Sequence, residues 1–166
     1  MGFKLFPSRD DRIEFITSLD EAVDTSTEEA REGYRTYLET LDRSTIVLVG
    51  EPTVFILRPL AWDAYEIACR DAQGVAIKDL YTDTPTAREL FRLSVEDVEP
   101  WPDGWGKKKK EAAFRWEFKR KVLSAQFVAR IPAGACREAA KILLDTLPMP
   151  DPKPAEEPDE PAPFTD

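Results

Sequence analysis

The chain has 166 residues, 42% of them hydrophobic, and a formal net charge of −9 at pH 7. This length fits one domain of ordinary size, and the apolar fraction excludes a wholly disordered chain. The chain contains no histidine, which excludes imidazole-based nucleophile systems, imidazole metal ligands and histidine proton shuttles. The negative charge argues against a protein that coats nucleic acid through its overall field.

The two cysteines and the apolar runs indicate the expected compartment. Cys69 and Cys136 are isolated in the sequence and form no CxxC pair, which is typical of reduced thiols rather than of a disulfide framework or a zinc site. No apolar run is long enough to span a bilayer or to act as a signal peptide. We therefore expect a soluble, non-secreted protein with no metal, no cofactor and no membrane partner.

The N-terminal region predicts one strand followed by one amphipathic helix. Residues 12–17 (RIEFIT) alternate polar and apolar side chains, which favours a short strand. Ser26 and Glu29 have the spacing of a capping box. The apolar residues that follow share one helical face, and this helix is expected to end near Asp42.

The next part of the chain predicts a β-hairpin and further helices. Residues 45–49 (TIVLV) and 53–57 (TVFIL) are two apolar, β-branched runs separated by the turn residues Gly-Glu-Pro, a pattern typical of a hairpin. Helices are then expected over 61–72, with Cys69 on the buried face, from Thr84 to the prolines near position 100, and over 132–147.

Between the last two of these helices, the segment 111–127 predicts a helix with two apolar stripes. One stripe contains Phe114, Phe118, Val122 and Ala125. The opposite stripe contains Trp116, Leu123 and Phe127. Either the helix is sandwiched inside the fold, or one stripe faces the core and the other a partner. In the second case the expected contact surface comprises Trp116, Leu123, Phe127, Arg115, Lys119 and Arg120, which have the composition of an interface core.

Charge is segregated along the chain. Residues 107–121 carry a net charge of +6, whereas residues 148–166 carry −5 and contain seven of the fourteen prolines. Proline at this density predicts a disordered acidic tail. The tail is either a solubilising extension, a tethered ligand anchored by Phe164, or an acidic flap that competes for a basic surface.

These elements predict an α+β fold, mainly α, with about five helices, a β-hairpin and one or two further short strands. Residues 1–147 are assigned to a single domain, in which 1–43 form an N-terminal strand and helix extension and 44–147 form the main body. Residues 148–166 are assigned to the disordered tail.

Three short motifs carry a family resemblance. They are the run PTVFILRPLAW at 52–62, the run LFRLSVEDVE at 90–99 before a proline-rich loop, and FVARIP at 127–132 before the last helix. Over residues 44–147 the chain is similar to small tailed-bacteriophage structural-module proteins of the tail-assembly-chaperone-like type. The resemblance implies a non-catalytic protein-protein interaction protein that engages phage tail or head proteins, or itself, in the host cytoplasm, or that stays in the virion as a minor structural component.

Two other classes of function remain open on the residues alone. The basic 107–121 segment with its interleaved aromatic residues suits a nucleic-acid-binding accessory protein, although the net charge opposes it. A carboxylate-based hydrolase needs no histidine, but the sequence contains no phosphate-binding or metal-binding motif. We therefore expect no catalytic residues, no enzyme activity and no small-molecule substrate.

Overall fold

Three short strands form an antiparallel sheet in the order β1-β2-β3. They are β1 (Ile13–Phe15), β2 (Val54–Leu57) and β3 (Val95–Glu99). The structure is a computed structural model that describes residues 12–72, 74–101, 103–117 and 120–147. The disordered tail expected at 148–166 lies outside these described residues.

Helices and a second, two-stranded sheet are the other regular elements of the described residues. The α-helices are α1 (Glu28–Thr40), α2 (Trp62–Ala68), α3 (Thr84–Ser94), α4 (Lys107–Ala112), α5 (Ala125–Val128) and α6 (Ala133–Thr146). Short 3-10 helices span Arg43–Thr45 and Ile77–Thr82, and the second sheet pairs β4 (Phe114–Glu117) with β5 (Arg120–Leu123). The predicted α+β class is confirmed. No helix in the described ranges is long and apolar enough to cross a membrane.

The central strand β2 is apolar throughout because both of its faces are covered. Phe55 and Leu57 belong to the main core, which also contains buried residues of α3 and α6. Val54 and Ile56 belong to a smaller cluster on the other face, which α1 covers. A strand that is buried on both faces reads as a continuous apolar run rather than as an alternation, which accounts for the sequence of 53–57.

Two tyrosines attach α1 to the end of β1. The Tyr34 hydroxyl donates to the Ile16 carbonyl at 2.9 Å, and the Tyr37 hydroxyl donates to the Glu14 carbonyl at 2.7 Å. The Ile16 amide in turn donates to the Tyr37 hydroxyl at 3.1 Å. Burial raises the pKa of Tyr34, so its hydroxyl stays protonated and remains a donor. These bonds satisfy backbone groups where the ladder of the sheet ends.

Gly33 allows α1 to approach the 3-10 helix at Arg43–Thr45. A Cβ at position 33 would lie 2.3 Å from the Thr45 carbonyl oxygen. An alanine normally stabilises a helix interior by about 0.5–1 kcal/mol relative to glycine, but this contact is with backbone and must be relieved by moving α1. We expect Gly33→Ala to lower the free energy of unfolding by about 1–3 kcal/mol, measured by urea denaturation.

Gly106→Ala is the matched control for that substitution. Nothing lies within 4 Å of a Cβ built at Gly106, so the only expected cost is that of an alanine at the N-cap of α4, below about 1 kcal/mol. A Gly33→Ala protein at least as stable as the parent would contradict the close approach of α1 to Thr45.

The predicted hairpin between 45–49 and 53–57 is wrong. The second run is β2, but its partners are β1 and β3 rather than the run before it. Leu48 makes only an isolated bridge with Val23, and Val49 is 68% exposed. The distant strands β1 and β3 pair with the two edges of β2, and this leaves no free edge for the adjacent run.

A second correction concerns the end of α3. The helix predicted to continue to the prolines ends at Ser94, and the next five residues are β3. Val95 and Val98 of this strand are buried in the main core. The contacts that β3 makes by pairing with β2 therefore outweigh the helical spacing of the apolar residues in this segment.

Candidate interaction surface

The basic, aromatic segment is a β-hairpin flanked by two short helices, so the helix predicted over 111–127 is wrong. In the hairpin, Phe114 pairs with Leu123 and Trp116 pairs with Lys121. Aromatic and β-branched side chains favour strands. Their period-two alternation replaces the two helical stripes.

Of the three apolar residues predicted to face a partner, the structure exposes one fully. Trp116 on β4 is 75% exposed. Leu123 on β5 is completely buried in the main core, so its placement on a partner surface is wrong. Phe127 on α5 is half-buried and packs against the main core. The prediction failed for Leu123 because it pairs with Phe114 at the end of the hairpin that packs against the core, whereas Trp116 lies nearer the other end.

The basic residues of the predicted surface have different roles. Arg115 is exposed on β4. Arg120 on β5 forms an ion pair with Asp63 of α2, which ties it to the body of the protein. Lys119 and the proposed tail anchor Phe164 lie outside the described residues.

A buried arginine of α3 fastens the hairpin to the core. Arg92 is 7% exposed and forms a bidentate pair with Glu89, with N–O distances of 2.9 and 3.0 Å. The same guanidinium forms an ion pair with Glu117 of β4 and donates to the Leu123 carbonyl of β5 at 3.4 Å. The hydrogen bonds with Glu89 and Glu117 raise the pKa of Arg92 despite its burial, so the side chain stays charged.

Arg58, just after β2, makes a second connection. Its Nη2 donates to the Leu93 carbonyl at 2.9 Å and to the Lys121 carbonyl at 3.0 Å. Its Nε lies 3.5 Å from Glu96. Together with Arg92 and Arg120, this residue attaches both strands of the hairpin to the core elements.

Next to the hairpin, four aromatic side chains pack together; we refer to Trp101, Trp105, Phe114 and Phe127 as the aromatic cluster. The Trp101 and Trp105 rings stack at 5.6 Å, and Phe127 meets Trp105 edge-on at 5.5 Å. Neither tryptophan belonged to the contact surface predicted from the sequence. The signal was present in the phrase WPDGW, where a turn brings the two rings together.

A cleft of about 390 Å³ opens beside the aromatic cluster, between α4 and α5. Trp105 and Phe127 line its apolar part, and the exposed cations Lys109 and Arg130 line its polar part. The Lys109 ammonium lies 5.9 Å from the Trp105 ring centroid. An aromatic wall with two cations suits an acidic ligand that also carries an apolar side chain.

A second hollow, of about 660 Å³, also includes Trp105 and is mainly acidic. It is lined by Trp101, by the carboxylates of Asp97, Glu99 and Asp103, and by one cation, Lys110. The Trp101 indole donates to Asp97 at 3.1 Å. Trp105 therefore contributes to both a basic cleft and a mainly acidic hollow.

The two cysteine thiols are both shifted away from the reactive thiolate form. Burial raises the pKa of the Cys69 and Cys136 thiols, which keeps both protonated at neutral pH and poorly nucleophilic. Among the described residues, no three Cys, Asp or Glu side chains are grouped to hold a metal ion.

Comparisons with protein-family models, curated proteins and solved structures found no match to this chain. The functional conclusion therefore depends on the geometry of this surface.

Proposed function

We propose that the protein is a non-catalytic protein-protein interaction protein. The observation that carries the proposal is the exposure of Trp116, whose side chain is 75% accessible on a hairpin that three arginines hold in place. Tryptophan is a frequent anchor of protein interfaces, and a fixed strand presents it without a large entropic cost.

The partner that we propose is another structural protein of a tailed phage. The support is the resemblance to tail-assembly-chaperone-like proteins, whose motifs fall on β2, on α3 with β3, and on the turn into α6. These segments build the core, so they would form the common scaffold, and the hairpin would provide the contact. The protein would act in the host cytoplasm during assembly. The alternative is that it remains in the virion as a minor structural component.

The test is co-expression of the tagged full-length chain with the products of its neighbouring reading frames. We expect Trp116→Ser to weaken copurification of a tail or head protein by about 10- to 100-fold, because loss of an anchoring side chain costs about 1.4–2.8 kcal/mol. The dissociation constant of the recovered pair would be measured by calorimetry.

Val49→Ser is the matched control, since Val49 is 68% exposed on a different part of the protein. It should leave the affinity unchanged. Equal losses of affinity in both variants, or no loss of affinity in Trp116→Ser, would contradict the proposal that the hairpin forms the contact.

A second candidate, nucleic-acid binding, is favoured by the Lys109 ammonium beside the Trp105 ring and by the exposed lysines of α4. Lysines next to a stacking ring are typical of single-strand binding surfaces. Salt-dependent binding of a labelled oligonucleotide would support this candidate, and no binding at low salt would reject it.

A further inference from the structure

The cleft between α4 and α5 presents cationic and aromatic side chains that the rest of the protein leaves partly exposed. Its two cations, Lys109 and Arg130, are both exposed, and the walls supplied by Trp105 and Phe127 are only half-buried. The lysines at 107 and 108 add further positive charge at the start of α4. A ligand for this cleft should be anionic and should carry one ring or branched side chain.

The C-terminal segment of this same chain has that composition. Residues 156–166 (EEPDEPAPFTD) contain five carboxylate side chains, no basic residue and a single aromatic residue, Phe164. Its charge is opposite to that of the cleft, and its one large apolar side chain can pack against the half-buried rings of Trp105 and Phe127.

The segment is long enough to reach the cleft. Arg130 lies just before α6, a helix of 14 residues that is about 21 Å long. Phe164 is 17 residues beyond Leu147, where α6 has ended, and a proline-rich chain of that length spans up to about 50 Å. The tail therefore has more than twice the length needed to return along α6.

We propose that residues 156–166 dock into the cleft of their own chain, with Phe164 against the exposed surfaces of Trp105 and Phe127 and the flanking carboxylates beside Lys109 and Arg130. Tethering makes a weak contact effective, because a linker long enough to span the two sites gives a local concentration on the order of 1 mM. A contact with a dissociation constant near that value is already occupied about half of the time.

The test uses the full-length chain with Phe164→p-benzoylphenylalanine, a photocrosslinking residue of similar shape. After irradiation, peptide mass spectrometry should locate the crosslink within 105–130 of the same chain. The yield should fall several-fold at about 1 M salt, where the Debye length shrinks to about 3 Å from about 10 Å at 0.1 M.

Charge-reversal variants of the same full-length protein show whether the cleft is responsible. Lys109→Glu with Arg130→Glu should lower the crosslinking yield several-fold. Arg43→Glu with Lys78→Glu changes the net charge equally at exposed positions elsewhere and should leave the yield unchanged. The proposal would be overturned by crosslinks outside 105–130, by the absence of any crosslink, or by equal losses of crosslinking yield in both double variants. Crosslinks between two chains at the cleft would also overturn it, because the occupant would then be a second copy.

Discussion

Leu123→Ala should lower the free energy of unfolding by about 3 kcal/mol, because it removes a completely buried side chain from the main core and leaves a cavity. Leu123 pairs with Phe114 across the hairpin, so neither strand can move inward to fill the space without breaking its register. Urea denaturation followed by circular dichroism measures the change.

Trp116→Ala tests the complementary expectation, that the side chain at position 116 contributes little to stability. Because Trp116 is 75% exposed, its loss should change the free energy of unfolding by no more than about 0.5 kcal/mol. A comparable loss of stability in both variants would mean that Trp116 is buried in solution by self-association, and the denaturation midpoint would then depend on protein concentration. The two residues share a hairpin but should report on different properties, the core and the surface.

Arg92→Met should lower the free energy of unfolding by about 2 kcal/mol. Methionine keeps much of the buried volume but leaves Glu89 and Glu117 without their shared cation, and it removes a donor to the Leu123 carbonyl. The loss should be smaller than the 3–5 kcal/mol typical of a fully buried pair, since the two carboxylate side chains are 39% and 36% exposed. Faster hydrogen exchange of the backbone amides in β4 and β5 would show that the hairpin has loosened.

Arg35→Met is the control for loss of an arginine from a helical ion pair. Arg35 pairs with Glu32 on the exposed face of α1, where both side chains are more than half exposed. Such a pair contributes about 0.3–0.5 kcal/mol. If the two methionine variants were equally stable, Arg92 would not hold the hairpin to the core.

Helices with strong local signals could be predicted from the sequence. The N-terminal helix was expected from a capping pattern, although the residue that caps α1 is Thr27, whose hydroxyl accepts from the Ala30 amide. The last helix was expected over 132–147 and is found at Ala133–Thr146. In both helices the apolar stripe and the ends are encoded within a few neighbouring residues, so no distant contact is needed to find them.

The strands could not be assigned to partners in the same way. The runs at 45–49 and 53–57 have nearly the same composition, yet only the second is in the sheet, because pairing with β1 and β3 depends on residues about 40 positions away in either direction. The segment 111–127 failed for a related reason. Its apolar residues fit a helical spacing and a strand alternation equally well, and the contacts of Arg92 and Arg58 with the hairpin decide between them.

For the candidate surface, the sequence pointed to the segment around Trp116 but not to its hairpin geometry. It singled out Trp116 and the basic residues around it, and among the described residues Trp116 is the most exposed large apolar side chain. It did not find the cleft, because Trp105 and Arg130 come from opposite sides of the hairpin in sequence and meet only after β4 and β5 pair.

Three arginines and two lysines of this region have separate roles. The side chains of Arg58, Arg92 and Arg120 point to carboxylates and carbonyl groups of the body, whereas those of Lys109 and Lys121 lie over aromatic rings at the surface. Acylation of these lysines, or their substitution during evolution, would therefore change the charge of the surface while leaving the hairpin attached to the core. Evolution could thus retune the choice of partner without a cost in folding, as long as the three arginines are kept.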